Sequence, residues 1–406
     1  MGRNWATLVV LSFFLTLLGH GEGDESLKGD SPVVREIKEP LPLKVRILLE
    51  QREFFRPLSL RASELKVNGI ALQGSELNCR FRDGWICQGK NKKLKFEGRI
   101  VVQSGEGFIH IGKAFYRDTI HLIPVKDRKL MIVNELDMES YLVGIVNSEI
   151  SSKYPKEAIK AQVVAARSYA LACLKERRPR QMEYDLDSTD MDQVYKGAHV
   201  EDAKSHFAVQ ETRGKVLLSS GKVVKAYYHA SSGGTLERPE TVWGSKNTLE
   251  GSIYSLRSPP EASDDRFRWK VSIGPWFGFK IPGLGALRDF QIVERTEGER
   301  VQKVYLVGDS GSKVLKGSEF RKLLGGRWIK STLFDVEPKG SGWLLEGRGF
   351  GHGVGLSQIG ARNLAEKGWS YKKILSAYYP GARISGESTP VNKAPFQRDL
   401  FSMGVR

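Results

Sequence analysis

At 406 residues, 40% hydrophobic and 27% charged, the chain has length for two or three packed units and a composition that excludes wholesale disorder and a multi-span membrane protein. Lys and Arg number 63 against 47 Asp and Glu, a formal charge of +16. Three cysteines exclude a disulfide-stapled miniature fold and an all-cysteine, four-ligand zinc finger.

The chain opens with Arg3, an apolar run from Trp5 to Leu18, and Gly19-His20-Gly21. A charged start, an apolar stretch of this length and a small-x-small step predict a secretory leader over residues 1–21. The run is shorter than the ~20 residues a spanning helix needs, so an uncleaved N-terminal anchor is the alternative, and membrane association is expected only in that case. Residues 22–42 are polar and proline-punctuated, a linker. Export sets the scattered basic charge against an anionic cell envelope. Nucleic acid is not expected as a partner, because there is no basic arm, zinc finger or aromatic RNA-binding signature. A solvated basic surface that aids solubility is the other reading.

Residues 43–125 read as a β-rich region. Val45-Arg-Ile-Leu-Leu49, Leu94-Lys-Phe96 and Phe108-Ile-His-Ile111 are strand-like segments between turn residues. Cys79 and Cys87 bracket an Asp83-Gly84 turn signal, the pattern of a hairpin closed by a disulfide, with two free thiols as the alternative. From about Arg128 to Glu176 the expected period is helical: Pro155 suits a first helical position, and Ile159, Val163, Ala166, Ala170 and Cys173 recur on one face. Cys173 has no evident partner and reads as a buried small hydrophobe. Strand signals return after Lys215, notably Val223–Tyr228. A β-rich stretch, 255–345, carries a short helix near Ser318–Leu324. A Gly-rich turn at 347–355 leads into a helix over Ser357–Lys367, and residues 382–406 form a loosely ordered tail.

Several general motifs are incomplete. The Gly347–Gly355 run contains neither Gly-x-Gly-x-x-Gly nor a phosphate loop, so no nucleotide cofactor is expected. Gly355-Leu-Ser357-Gln-Ile359 lacks the last glycine of a nucleophile elbow. Asp185, Asp187, Asp190 and Asp192 lack an EF-hand's central glycine and terminal glutamate, and fit caps and turns better than a cation site.

What remains is a set of ordered blocks: Tyr141-Leu-Val-Gly-Ile-Val-Asn-Ser-Glu149 followed by Pro155–Ala170; Asp192-Gln-Val-Tyr-Lys-Gly197; Ala226-Tyr-Tyr-His-Ala-Ser-Ser-Gly-Gly234 with Val242-Trp-Gly244; and Gly347–Ala361, closed by Tyr378-Tyr-Pro-Gly381. Over residues 126–381 this closely resembles the SpoIID/LytB family. The resemblance implies a SpoIID-like catalytic core of helices packed on β-sheet over 126–381 and does not cover residues 22–125. With the β-rich N-terminal region 43–125 and the β-rich inserted subdomain 255–345, read from their own residues, the expected fold is α+β. The resemblance also implies a lytic transglycosylase that cuts peptidoglycan between N-acetylmuramic acid and N-acetylglucosamine, on strands stripped of stem peptides, leaving 1,6-anhydro ends. The family's catalytic glutamate matches Glu149. LytB-type members, described as enhancers of a wall amidase, supply the alternative of a non-catalytic wall-binding protein. An amidase acting upstream is the implied protein partner.

The chemistry suits one carboxyl group. Cleavage needs a proton for the leaving oxygen, and the flanking Ile145, Val146 and Ile150 would raise a carboxyl pKa by desolvation. Once ionised, the same group can take the proton of the sugar's own C6 hydroxyl as that oxygen attacks C1. An intramolecular nucleophile has a high effective molarity, so a second carboxylate is dispensable. His229, Ser231, Ser232, Gly233, His352, Gly353, Ser357 and Gln358 are expected along the substrate, each histidine being equally readable as structural. Arg167 orients substrate or sits in a buried pair, and Tyr169 lies beside it on the same helix. Trp243 is a sugar platform or a core residue. Some family members carry a zinc-associated Cys/His set before the Gln-Val-Tyr block. Here Asp185–Gln193 occupies that stretch, and no metal is expected.

Overall fold

The computed structural model describes residues 43–53, 57–105, 107–126, 129–244, 258 and 267–386, all within one unit, Glu36–Arg406. The expected leader (1–21), the linker (22–42) and the tail beyond residue 386 lie outside the described residues. No helix among the described residues is long and apolar enough to cross a membrane.

The fold is α+β. Two sheets face each other at the N-terminal end. In the seven-stranded sheet the order is 186–187, 44–53, 129–137, 119–125, 100–104, 65–67, 70–71. In the six-stranded sheet it is 114–116, 109–111, 58–61, 76–81, 85–88, 93–96. Alternate residues of both, among them Leu58, Leu60, Leu77, Trp85, Ile100, Val102, Ile120 and Ile132, form one apolar layer, as period-2 patterning requires. Cys79 and Cys87 are directly opposed in the hairpin and disulfide-bonded.

Residues 129–137 depart from the expected helix. The run Leu130-Met-Ile-Val133 is buried on both faces because the strand is central, paired with 44–53 on one side and 119–125 on the other. A continuous apolar run of that length does not separate strand from helix by periodicity. The pairing also places residues 119–125 and 129–137 in one hairpin, so the N-terminal strands and the helical core share a sheet.

Seven α-helices follow in the described residues: α1 Met138–Glu149, α2 Lys156–Arg177, α3 Ala203–Glu211, α4 Pro239–Trp243, α5 Gly317–Leu324, α6 Gln358–Glu366 and α7 Tyr371–Tyr378. Asp137 caps α1, its carboxylate accepting from the Glu139 and Ser140 N–H groups. Pro155 stands just before α2, one position earlier than expected. Helix α2 is the central pillar. Its Ile159, Val163, Ala166 and Ala170 pack against α1 and the sheet. Ala158, Ala161, Val164 and Ala165 on the opposite side pack against α6, α7 and Leu217–Ala226. The small side chains allow this helix close neighbours on both sides. Residues 267–348 build a separate core around Phe277, Phe290, Phe320, Phe334 and Trp343.

Candidate active site

Glu149 is the last residue of α1, whose inner face (Tyr141, Leu142, Ile145, Val146) is buried against the sheet and α2. Its half-buried carboxylate takes a hydrogen bond from the backbone N–H of Val194 at Oε1, and another from the Tyr228 hydroxyl. Burial pushes its pKa up from 4.5 to about 7, and the charge of Asp190 adds to the rise. The Val194 and Tyr228 hydrogen bonds and the charge of Lys196 oppose it. A carboxyl group titrating near neutrality can both give and take a proton at working pH.

The Tyr228 bond is directional. Tyr141 donates to Gln193 Oε1 (3.0 Å), and Gln193 Nε2 donates to the Tyr228 oxygen (3.0 Å) and the Ala166 carbonyl (3.3 Å). Its oxygen thus occupied as an acceptor, Tyr228 has its own proton to direct at Glu149. The Asp192-Gln-Val block therefore acts at the site through a backbone N–H and a relay amide.

The other two blocks meet in a parallel pairing of Tyr228–His229 with Leu356–Ser357. His229 Nδ1 bonds the Val354 carbonyl (3.1 Å), and His352 Nδ1 bonds the Val354 N–H (3.0 Å), with the rings 5.6 Å apart. The carbonyl requires a proton on His229 Nδ1, whereas the N–H requires a bare Nδ1 on His352, so the two neutral rings are opposite tautomers. Burial pushes His229 down to about 3, helped by the Arg300 charge. Burial, His229, Arg300 and Arg321 hold His352 well below 6.5. Gly353 is left-handed (φ 83°), and a Cβ there would lie 2.4 Å from the Arg300 guanidinium, whose Nη2 donates to the Ser232 carbonyl (2.8 Å).

The serines and their neighbours hold the loops. Ser231 pairs with Phe350 through backbone bonds of 3.1 and 2.9 Å, and Ser231 Oγ accepts from the Gly233 N–H. Ser232 Oγ meets Ser258 Oγ at 2.8 Å. Gly233 (φ 70°) packs against the Arg348–Gly349 backbone. Ser357 caps α6, and Gln358 is its buried first residue. Trp243 is half-buried, stacked on Tyr227 at 4.4 Å with the His352 edge at 4.9 Å.

Arg167 does not reach this site. It forms a buried bidentate pair with Glu139 (3.0 and 2.7 Å). Glu139 lies ten residues before Glu149 on α1, about 15 Å along the axis at 1.5 Å per residue. The expected substrate contact thus gives way to a structural pair. Tyr169 instead donates to Asp192 (3.0 Å), which Arg177 also grips (2.6 and 2.9 Å), fixing the loop that carries Val194. Asp185 is held by Arg46 and Arg178, and Asp187 caps the Thr189 turn. Among the described residues no group of three His, Cys, Asp or Glu could hold a metal ion. Two surface cavities, about 540 and 770 Å³, are lined by residues 268–348 and lie away from Glu149. The hydrogen-bonded carboxyl, not the cavity volume, marks the candidate site.

Residues 126–218 match the family described as Stage II sporulation protein. The chain is 31% identical over 288 residues to Stage II sporulation protein D of Bacillus amyloliquefaciens, covering 67% of this chain and 80% of that one. It is 30% identical over 289 residues to Stage II sporulation protein D of Bacillus subtilis, covering 67% and 81%. The chain belongs to the SpoIID family. An amidase enhancer of Bacillus subtilis is 27% identical over 297 residues, 60% of this chain and 40% of that one. Within the SpoIID match lie Glu149, Gln193 and Val194, while Tyr228, His229 and His352 lie beyond its end. Residues 279–355 match a domain of unknown function. Sequence reasoning misses Tyr228, Gln193, Val194 and Arg300 as site residues: the first three stand inside the ordered blocks, and Arg300 stands in Gly298-Glu-Arg-Val301, which follows the family pattern only loosely.

Proposed function

We propose that this SpoIID-family protein acts on the cell wall as an exported lytic transglycosylase, cutting peptide-stripped peptidoglycan strands with Glu149 as acid and then base. The observation that carries this reading is the half-buried Glu149 carboxyl, brought to about 7 and aimed by Val194 and Tyr228. In the first step the protonated carboxyl gives its proton to the glycosidic oxygen as the C1–O bond of the muramic unit breaks. The resulting carboxylate then removes the C6 hydroxyl proton as O6 bonds to C1. The new end is a 1,6-anhydro ring, the leaving strand regains a hydroxyl, and no water is consumed. Tyr228 steadies the ionised intermediate state of Glu149 by hydrogen bonding. The neutral histidines and the Ser231–Gly234 loop form the surroundings in which a sugar's hydroxyl and N-acetyl groups would be held.

The test is mass spectrometry of products from peptide-stripped and intact strands. Anhydro-ended fragments from the unsubstituted protein, absent with Glu149→Gln, support the reaction. Strand binding without any such product from the unsubstituted protein would favour the wall-binding enhancer suggested by the amidase-enhancer relative, with an amidase as partner.

A further inference from the structure

The 267–348 subdomain is laced to the site loops at several points, through Arg300 and Gly298 to residues 232–235 and through the turn after α5 to Gly351. After α5, the Trp328 and Ile329 N–H groups both donate to the Gly325 carbonyl (3.0 and 3.1 Å), and Arg321 Nε donates to the Ile329 carbonyl (2.9 Å). Just beyond, the Gly351 N–H donates to the Lys330 carbonyl (2.9 Å), and Ser331 bridges to Gly351, the residue before His352. Within this rigid turn Ile329 is fully buried, whereas Trp328 is 64% exposed and Arg327 beside it is exposed too. Leaving an indole in water forgoes the burial of a large apolar face. A Trp–Arg neighbour pair is also the residue chemistry enriched where binding energy concentrates.

We propose that Trp328 and Arg327 form a distal subsite for the glycan strand. The indole stacks on the apolar face of a sugar ring, and the guanidinium pairs with the lactyl carboxylate of a peptide-stripped muramic unit. On a peptide-bearing strand that carboxyl is an amide and carries no charge, so Arg327 reads the stripped state directly. The turn's backbone bonds to Gly351 set this surface beside the His352 loop, where a polymer bound at the site would continue past the bond being cut. The subsite rests on the glycan-cutting reading given above.

The experiment measures affinity for purified strands by co-sedimentation, in a Glu149→Gln background so that nothing is cut. Both tested side chains are exposed, so Trp328→Ala and Arg327→Ala keep the fold. Trp328→Ala is expected to weaken stripped-strand binding about tenfold, with Trp328→Phe restoring most of it. Arg327→Ala is expected to weaken binding to stripped but not to peptide-bearing strands. With Glu149 intact, Trp328→Ala should raise KM on long strands and leave kcat unchanged. Unchanged strand affinity in Trp328→Ala overturns the subsite. Loss of binding to anionic lipid vesicles with strand affinity intact overturns it in favour of a membrane contact. Trp328-dependent strand binding without anhydro products from the unsubstituted protein would uphold the subsite and overturn the reaction.

Discussion

The backbone N–H of Val194 donates to the carboxylate of Glu149, tying the C-terminal end of α1 to the loop that follows Asp192. The loop is held from behind, because Asp192 is gripped by Arg177 and Tyr169, both on α2. One peptide unit thus fixes where the candidate proton donor points, and residues remote in sequence fix the peptide unit.

For the proposed reaction, the pH dependence of cleavage follows from this carboxyl. The acid step needs protonated Glu149, so kcat/KM is expected to fall as pH rises through about 7. The same raised pKa weakens the fold. Between about 4.5 and 7 the folded state holds a proton that the unfolded chain has lost, so this group's contribution falls as pH rises through that window. The full effect is on the order of 3 kcal/mol. Glu149→Gln should therefore be inactive yet more resistant to urea at pH 8 than the unsubstituted protein, with little difference at pH 4.5. An equal or lower urea midpoint at pH 8 would count against a desolvated carboxyl.

His229 gives a slope of the opposite sign. Its folded value of about 3 lies below the ordinary 6.5, so the unfolded chain binds the proton first on acidification. Its contribution is present above pH 6.5 and is lost as pH falls toward 3, at about 1.4 kcal/mol per unit within that range. His352 is depressed in the same direction. His229→Gln should flatten the loss of stability between pH 6 and 4, read from thermal midpoints across that range. A ring that titrates near 6.5 by NMR would refute it.

The Arg167–Glu139 pair is expected to be structural. Both side chains are almost wholly buried, and the Arg167 guanidinium also donates to the Lys215 carbonyl (3.0 Å). Removing one partner leaves a buried charge, so Arg167→Ala should cost about 3–5 kcal/mol in denaturant unfolding. Replacing both by apolar residues of similar volume should recover much of that loss. A destabilisation under 1 kcal/mol together with a raised KM would return Arg167 to the substrate.

How much of this was legible in the sequence depended on distance along the chain. The hairpin at Cys79 and Cys87, the apolar face of α2 and the Ser357 start of α6 are local patterns, and each stands where the residues placed it. Glu149 was legible through the block that ends in it. The strand over 129–137 was not, because a run buried on both faces has no alternating signature. Arg167 was ambiguous because its partner lies 28 positions earlier. Asp185 likewise fits a turn until Arg46, 139 positions away, arrives beside it. Tyr228 becomes informative only once the fold places Gln193 behind it and Glu149 in front.

The disulfide makes a prediction of its own about the N-terminal sheets. Cys79 and Cys87 are fully buried in the apolar layer that joins the two sheets, separated by eight positions in sequence. Closing so short a loop removes little entropy from the unfolded chain, about 2.5 kcal/mol by the loop-closure relation. Packing sets the rest. Cys79→Ala with Cys87→Ala deletes two buried sulfurs from the layer, whereas reduction leaves them in place. The double substitution is therefore expected to lower the urea midpoint more than a reductant does. Glu149 stands on α1 and is held by Val194, neither of them on the strands that carry the cysteines, so anhydro-product formation by the molecules that remain folded should persist in both cases. Cleavage lost in step with the disulfide, at urea concentrations where the protein is still folded, would show that the β-rich N-terminal region takes part in the reaction.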